Sequence, residues 1–268
     1  MTISIDGHII KPTIFPDNTA QIWKVPEELL TVNKIIVWDF THEAEFLWLA
    51  QLRLLMPEDC SLYLPYLPYA RQDKLVANDA TFALHMFAKL LNTLEFSTVT
   101  ICDPHSDIAL SLINNSVAIY PTKVLVQVIR KTKATRICYP DNGAWVKYSQ
   151  VYGAFDGFAV RGMKKRNQKT GAIEAYELEP TAHPIKGQSV LIIDDICDGG
   201  ATFIKLAKCM YDAGAEDVHL FVTHGIFSKG IIPLYQAGIR SIYTADGEAV
   251  PDRSYPTTFA IKKYATAT

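Results

Sequence analysis

The 268 residues carry 26 lysines and arginines against 28 aspartates and glutamates, a formal charge of −2, with 49% hydrophobic and 20% charged side chains. This is the composition of a folded globular chain rather than a disordered one, long enough for one large or two modest α/β domains. The charge excludes a global positive field for non-specific nucleic-acid capture, and the five cysteines (Cys60, Cys102, Cys138, Cys197, Cys209) are odd in number, scattered and never spaced C-x-x-C, which disfavours a disulfide framework or a zinc site.

Short β-branched runs alternate with longer helical stretches, the pattern of a parallel sheet covered by helices. The N-terminal Met1-Thr2-Ile3-Ser4-Ile5-Asp6 has neither a basic nor an apolar leader region, so the expectation is a cytoplasmic protein with no membrane partner. Residues 35–38 read as a strand leading into a helix over 43–56. Residues 62–64 precede a basic loop, 81–94 show apolar positions at helical spacing, and 97–102 read as the next strand. A second series starts near Pro121. It comprises a helix from about Lys123, strand 136–139, a helix after Gly143, strand 190–193, helix 201–213 stopped by Gly214, and strand 218–222. The expected division is 1–121 and 122–268. Between strands, residues 161–171 hold five basic side chains with glycines near both ends, the pattern of a basic loop or hairpin tip.

The stretch 190–203 carries the most chemistry. An apolar strand is expected to end in Asp194 and Asp195, after which Asp198, Gly199, Gly200, Ala201 and Thr202 open a helix. Adjacent carboxylates can accept hydrogen bonds from vicinal ribose hydroxyls, and the small-residue loop offers backbone N–H groups to a phosphate at a helix N-terminus. Paired carboxylates beside a phosphate also suit a divalent ion. A helix-capping role accounts for Asp198 alone, not for the two acids before it.

Further motifs follow in order: Phe15-Pro16-Asp17-Asn18, Tyr69-Ala70-Arg71-Gln72-Asp73-Lys74, Asp103-Pro104-His105-Ser106, Pro140-Asp141-Asn142-Gly143 and Thr223-His224-Gly225-Ile226-Phe227-Ser228. Together with Asp194-Asp195-x-x-Asp198 they resemble the ribose-phosphate pyrophosphokinases, or phosphoribosyl pyrophosphate synthetases. The Asp-Asp-x-x-Asp signature by itself is shared with the type I phosphoribosyltransferases. The resemblance implies an α/β fold of two phosphoribosyltransferase-type domains, each a mainly parallel sheet flanked by helices, with the active site in the cleft between them. It implies a diphosphotransferase using Mg2+ and ATP as co-substrate and releasing AMP, in a homo-oligomer. ATP contacts fall on Phe15, Asp17, Arg71, Gln72, Asp73 and His105. Metal positioning falls on His105 and Asp141. Ribose-phosphate binding falls on Asp194, Asp195, Asp198, Gly199, Gly200, Ala201 and Thr202. Lys164 and Arg166 match a cationic Lys-x-Arg flap and, with Arg71 and His105, make up the implied catalytic set. Diphosphoryl transfer depends mainly on positioning and charge neutralisation, which is what a cationic lid adds.

The sequence departs from the family within its motifs. Gly199 stands where a threonine hydroxyl is usual, Trp145 where small residues are kept, Thr19 where a glutamate is common, and Leu75-Val76-Ala77 where charged residues follow. These departures leave two acceptors open: ribose 5-phosphate, giving phosphoribosyl pyrophosphate, or the bulkier diester ADP-ribose, with Trp145 as a stacking face and a place in NAD metabolism. A phosphoribosyltransferase would have little use for Phe15 or Arg71-Gln72-Asp73. A non-catalytic regulatory subunit would be expected to lack part of the flap or metal set, and all of it is present.

Overall fold

The computed structural model describes residues 3–153, 158–166, 173–180, 184–251 and 259–263. Contacts divide the chain into two compact units, 1–120 and 121–268.

The first unit contains β1 (Ile3–Ile5), β2 (His8–Ile9), β3 (Thr13–Ile14), β4 (Ala20–Gln21), β5 (Ile35–Trp38), α1 (Glu45–Leu55), β6 (Ser61–Leu64), α2 (Ala83–Asn92), β7 (Val99–Cys102), α3 (Asp107–Leu112) and β8 (Ser116–Ile119). Its sheet runs β2-β1-β5-β6-β7-β8, parallel from β5 to β8, with β1 and β2 added antiparallel; β3 and β4 form a separate hairpin. Each parallel neighbour follows the last in sequence, so this sheet grows in one direction. Helix α2 buries Leu84, Phe87, Ala88 and Leu91, the i, i+3, i+4, i+7 stripe that faces a core. That stripe joins Ile36, Trp38, Leu62, Leu64 and Ile101 from the strands.

The second unit contains α4 (Thr122–Thr132), β9 (Arg136–Tyr139), α5 (Asn142–Tyr152), β10 (Ala159–Arg166), β11 (Ile173–Leu178), β12 (Ser189–Cys197), α6 (Ala201–Asp212), β13 (Asp217–Gly225), α7 (Ile232–Gln236), β14 (Ile239–Tyr243), β15 (Gly247–Pro251) and β16 (Phe259–Lys263). Its sheet runs β11-β10-β9-β12-β13-β14-β15-β16, parallel from β10 to β14. After β9 the chain steps outward to β10, then returns to β12 on the other side of β9 and continues the opposite way. The strand order therefore reverses between β9 and β12, the place where open parallel sheets leave a crevice at their carboxyl ends. Helix α6 repeats the core stripe with Phe203, Leu206, Ala207 and Met210.

Two expectations change and one feature is added. Strand β12 does not end at Asp194 and Asp195 but runs on to Cys197, because β13 continues to pair with it through Ile196↔His224 and Cys197↔Gly225. The paired acids therefore sit within the strand, on a parallel hydrogen-bonded ladder, rather than at its end. The basic segment is the first arm of an antiparallel hairpin, Gly162↔Leu178 to Arg166↔Ile173; its tip at 167–172 lies outside the described residues, as do the side chains of Lys164 and Arg166. The antiparallel strands β1–β2 and β15–β16, at one edge of each sheet, are additions to the elements read from the sequence. Among the described residues no helix is long and apolar enough to cross a membrane.

Candidate active site

In the second unit the crevice is framed by two strand-to-helix turns. At the end of β9, Asp141 has extended backbone and caps α5: its Oδ1 accepts from the Ala144 N–H at 3.0 Å. At the end of β12, Gly200 takes a left-handed φ of +76° and begins α6 with no side-chain cap. A Cβ on Gly200 would stand 2.9 Å from Leu234 Cδ2, so glycine is required here both by backbone and by space. The first N–H groups of α6 are left without an intrahelical acceptor, the standard property of a helix start, and point where an anion can bind.

Asp194 and Asp195 stand beside this turn. Asp195 is 6% exposed and lies 3.8 Å from the Lys147 ammonium, which is itself largely shielded on α5. Asp194 Oδ1 accepts from the Asp195 N–H at 3.0 Å. Burial, then the charges of Asp195 and Asp141, push the Asp194 carboxyl well above the usual carboxylate range. Asp141, Asp194 and Asp195 thus form an acidic group that interacts electrostatically. Lys147 was not singled out in the sequence.

Asp198 accepts from the Ser228 hydroxyl at 2.5 Å, and the Cys197 carbonyl accepts from the Ile226 and Phe227 N–H groups at 2.9 and 3.0 Å. The Thr223–Ser228 motif is therefore the clasp that shapes the loop after β12. Gly225 permits it, since a Cβ there would be 2.2 Å from the Phe227 ring. Thr202 accepts a hydrogen bond from the Tyr176 hydroxyl at 3.1 Å, which ties α6 to β11. Ala201 is exposed and Gly199 half-buried on the rim of the loop.

Trp145 is half-buried on α5, not in the core. The Arg161 guanidinium lies 4.7 Å over its ring and is held by a bidentate pair with Glu179, while the Tyr139 ring meets it edge-on at 5.6 Å.

In the first unit, Phe15 and Asp17 lie on the β3–β4 hairpin tip. Phe15 is 39% exposed. The Thr19 hydroxyl and N–H both donate to Asp17, at 2.7 and 3.0 Å, and lower its pKa. Arg71 and Gln72 are exposed and Asp73 half-buried on the turn after Tyr69, whose left-handed φ of +61° redirects the chain. The Tyr69 hydroxyl donates to Glu43 at 2.5 Å, and chiefly for that reason its pKa rises to about 12. His105 is exposed between β7 and α3, after a buried Asp103. Asp17, Arg71, Gln72, Asp73 and His105 thus belong to the first unit, and Asp141 and Asp194 to Thr202 to the second. Among the described residues no three His, Cys, Asp or Glu side chains form a ready-made metal cage. Mg2+ bound with a nucleotide needs only one or two carboxylates beside the phosphates, and the mutual repulsion around Asp194 is what a divalent cation relieves, so the acidic group fits that ion.

The phosphoribosyl transferase domain family matches residues 154–230, which span the hairpin, the paired acids, the α6 turn and the clasp. A ribose-phosphate pyrophosphokinase from Pyrococcus abyssi is 26% identical over 77% of this chain and 68% of its own length. One from Saccharolobus solfataricus is 25% identical over 91% of this chain and 86% of its own. In structure the chain is similar to the phosphoribosylpyrophosphate synthetase of Mycobacterium smegmatis, with a TM-score of 0.73 at 17% identity over 93% of this chain and 84% of that one.

Proposed function

We propose that this chain, which belongs to the ribose-phosphate pyrophosphokinase family, transfers the β,γ-diphosphate of Mg-ATP to the anomeric hydroxyl of ribose 5-phosphate and releases AMP. The observation that carries the proposal is the uncapped, glycine-started turn of α6 lying directly after Asp194 and Asp195, at the sheet's reversal point. The turn donates to a phosphate, and the acids accept from the vicinal hydroxyls of the sugar.

Each residue then has a task. Asp195, 3.8 Å from the Lys147 ammonium, accepts from a ribose hydroxyl, while Asp194 sits beside it with its proton held more tightly than an ordinary carboxyl. The N–H groups after Asp198 bind the 5-phosphate. Phe15, Asp17, Arg71, Gln72, Asp73 and His105 take the nucleotide, and Lys164 and Arg166 supply positive charge to the moving diphosphate. His105 and Asp141 would hold the Mg2+ that accompanies ATP, which would supply neutralisation of phosphate charge when bound. The anomeric hydroxyl gives up its proton to solvent as its oxygen forms a bond to the β-phosphorus and the bond from that phosphorus to the departing AMP oxygen breaks, a displacement governed by positioning and electrostatics.

Of the two acceptors, ribose 5-phosphate is the one we propose. Trp145, the ring on which an adenine of ADP-ribose would stack, already carries Arg161 over one face and Tyr139 against its edge. A homo-oligomer is part of the same reading and is checked by sedimentation of the purified chain. The test of function is AMP formation from Mg-ATP, run with ribose 5-phosphate and with ADP-ribose, each product identified by mass. AMP and a phosphoribosyl diphosphate with the first acceptor alone is the expected result. A diphosphorylated ADP-ribose would reassign the acceptor, and no AMP with either would remove the pyrophosphokinase reading.

A further inference from the structure

The turn that clasps the phosphate loop continues into Lys229, an exposed residue on which the sequence motifs place no role. Its stem crosses directly over Gly199. A Cβ built on Gly199 would meet Lys229 Cδ and Cε at 3.5 Å and Cγ at 3.8 Å. The corridor that a side chain at position 199 would enter is therefore lined by the Lys229 methylenes, and the ammonium is one bond beyond Cε.

Two neighbouring facts bear on what that ammonium does. Gly199 is the loop position that lacks the hydroxyl expected there, so the loop is short of one donor toward a phosphate. The clasp also fixes the base of the lysine: Ser228 is bonded to Asp198 at 2.5 Å, and Ile226 and Phe227 are bonded to the Cys197 carbonyl. Lys229 thus leaves a backbone anchored to the two loop residues just before Gly199.

We propose that Lys229 is a binding and specificity residue of this loop, its ammonium replacing the missing hydroxyl and recognising a terminal phosphate monoester on the sugar. The assignment deepens the pyrophosphokinase reading and rests on it for the identity of the sugar phosphate. A monoester dianion carries more charge and more free oxygens than a diester, so a full positive charge at this position favours ribose 5-phosphate over ADP-ribose, whereas a neutral hydroxyl discriminates less.

The test titrates the intact protein calorimetrically with ribose 5-phosphate and with ADP-ribose, for the wild type, Lys229→Met, Gly199→Thr and Gly199→Thr/Lys229→Met, with AMP release measured in parallel. Methionine keeps an unbranched stem over Gly199 while removing the charge. At 3.5 Å a Cβ at position 199 makes an ordinary packing contact with the lysine stem. Lys229→Met is expected to weaken ribose 5-phosphate binding by roughly tenfold to a hundredfold, to change ADP-ribose binding by less than about twofold, and to recover part of its loss when Gly199→Thr is added. Equal ribose 5-phosphate affinity in wild type and Lys229→Met overturns the proposal, as does an equal loss for both sugars. If the wild type binds ribose 5-phosphate through Lys229 but releases no AMP, this proposal stands and the pyrophosphokinase reading falls. If turnover is normal and indifferent to Lys229→Met, the reverse holds. A wild type that does not bind ribose 5-phosphate overturns this proposal too.

Discussion

Helices α5 and α6 both begin at the carboxyl end of a parallel strand, on adjacent strands of one sheet, yet they begin in opposite ways. The first is closed by its own sequence: Asp141 turns its carboxylate back onto the Ala144 N–H. The second is left open, with Gly200 in a left-handed conformation and no side chain to accept from its leading N–H groups. A helix start that satisfies itself has little left to offer an anion, and α5 contributes to the site through its side of the helix instead, by sending Lys147 to Asp195. The open start of α6 contributes backbone donors. In the proposed function the two turns divide the work: one supplies charge to the carboxylates and the other N–H groups to a phosphate.

The largest effect is expected from closing the open turn. Gly200→Val places a branched side chain in a left-handed backbone and 2.9 Å from Leu234, at a cost of about 2–3 kcal/mol. Turnover should fall by about a hundredfold or more because the loop must move to relieve the overlap. Thermal unfolding and AMP release check the two parts, and a variant that keeps wild-type turnover would mean the loop does not bind the phosphate. A smaller change follows from removing the charge that α5 delivers. Lys147→Met leaves Asp195 buried without that cation, and about 1–3 kcal/mol of stability should be lost. The KM for ribose 5-phosphate should rise more than kcat falls, with Lys147→Arg recovering most of the loss. A uniform fall in kcat alone would place Lys147 outside sugar binding.

The open turn was easier to read in the sequence than the closed one. Two glycines between a β-branched run and an amphipathic stripe leave few alternatives, and the stripe at 203, 206, 207 and 210 is the one that packs. Asp141 was also visible, but its cap on Ala144 depends on the extended backbone at one residue, which spacing does not reveal. The continuation of β12 past its acids was hidden for a related reason. Asp194 and Asp195 have the composition of a loop, and only the ladder to His224 and Gly225, some 28 residues on, keeps them in the strand. Lys147 and Lys229 were illegible because each acts across the fold, on residue 195 from a helix and on residue 199 from a turn. Neither contact has a local pattern.

The electrostatic side of the comparison is sharpened by Asp194→Asn. Asp194 holds its proton to higher pH in the folded chain than at its ordinary value of 3.8. Below that value both folded and unfolded chains are protonated and nothing is lost. As pH rises from 3.8 through the raised folded value, the folded state binds more protons than the unfolded one, so stability falls. Asparagine cannot titrate. The Tm of Asp194→Asn relative to wild type should therefore climb as pH goes from 4 to 8 in nucleotide-free, metal-free buffer. A difference that stays flat or shrinks would show that the acids do not crowd one another at the β12 end.

The smallest effect separates the two properties of the closed turn. Asp141 caps α5 through an oxygen, and it also adds negative charge near Asp194. Asp141→Ala removes both, so the lost cap, about 1 kcal/mol, is offset in part by relief of repulsion. Asp141→Asn keeps an oxygen to accept from the Ala144 N–H and removes only the charge, so its Tm should equal or slightly exceed that of the wild type. Both variants should lose activity if Asp141 helps to place the Mg2+ of the nucleotide, because an amide is a far weaker ligand for that ion than a carboxylate. An Asn variant as unstable as the Ala variant would mean that the helix start is held by the charge rather than by the hydrogen bond, and the contrast between a self-capped and an open turn would no longer rest on capping.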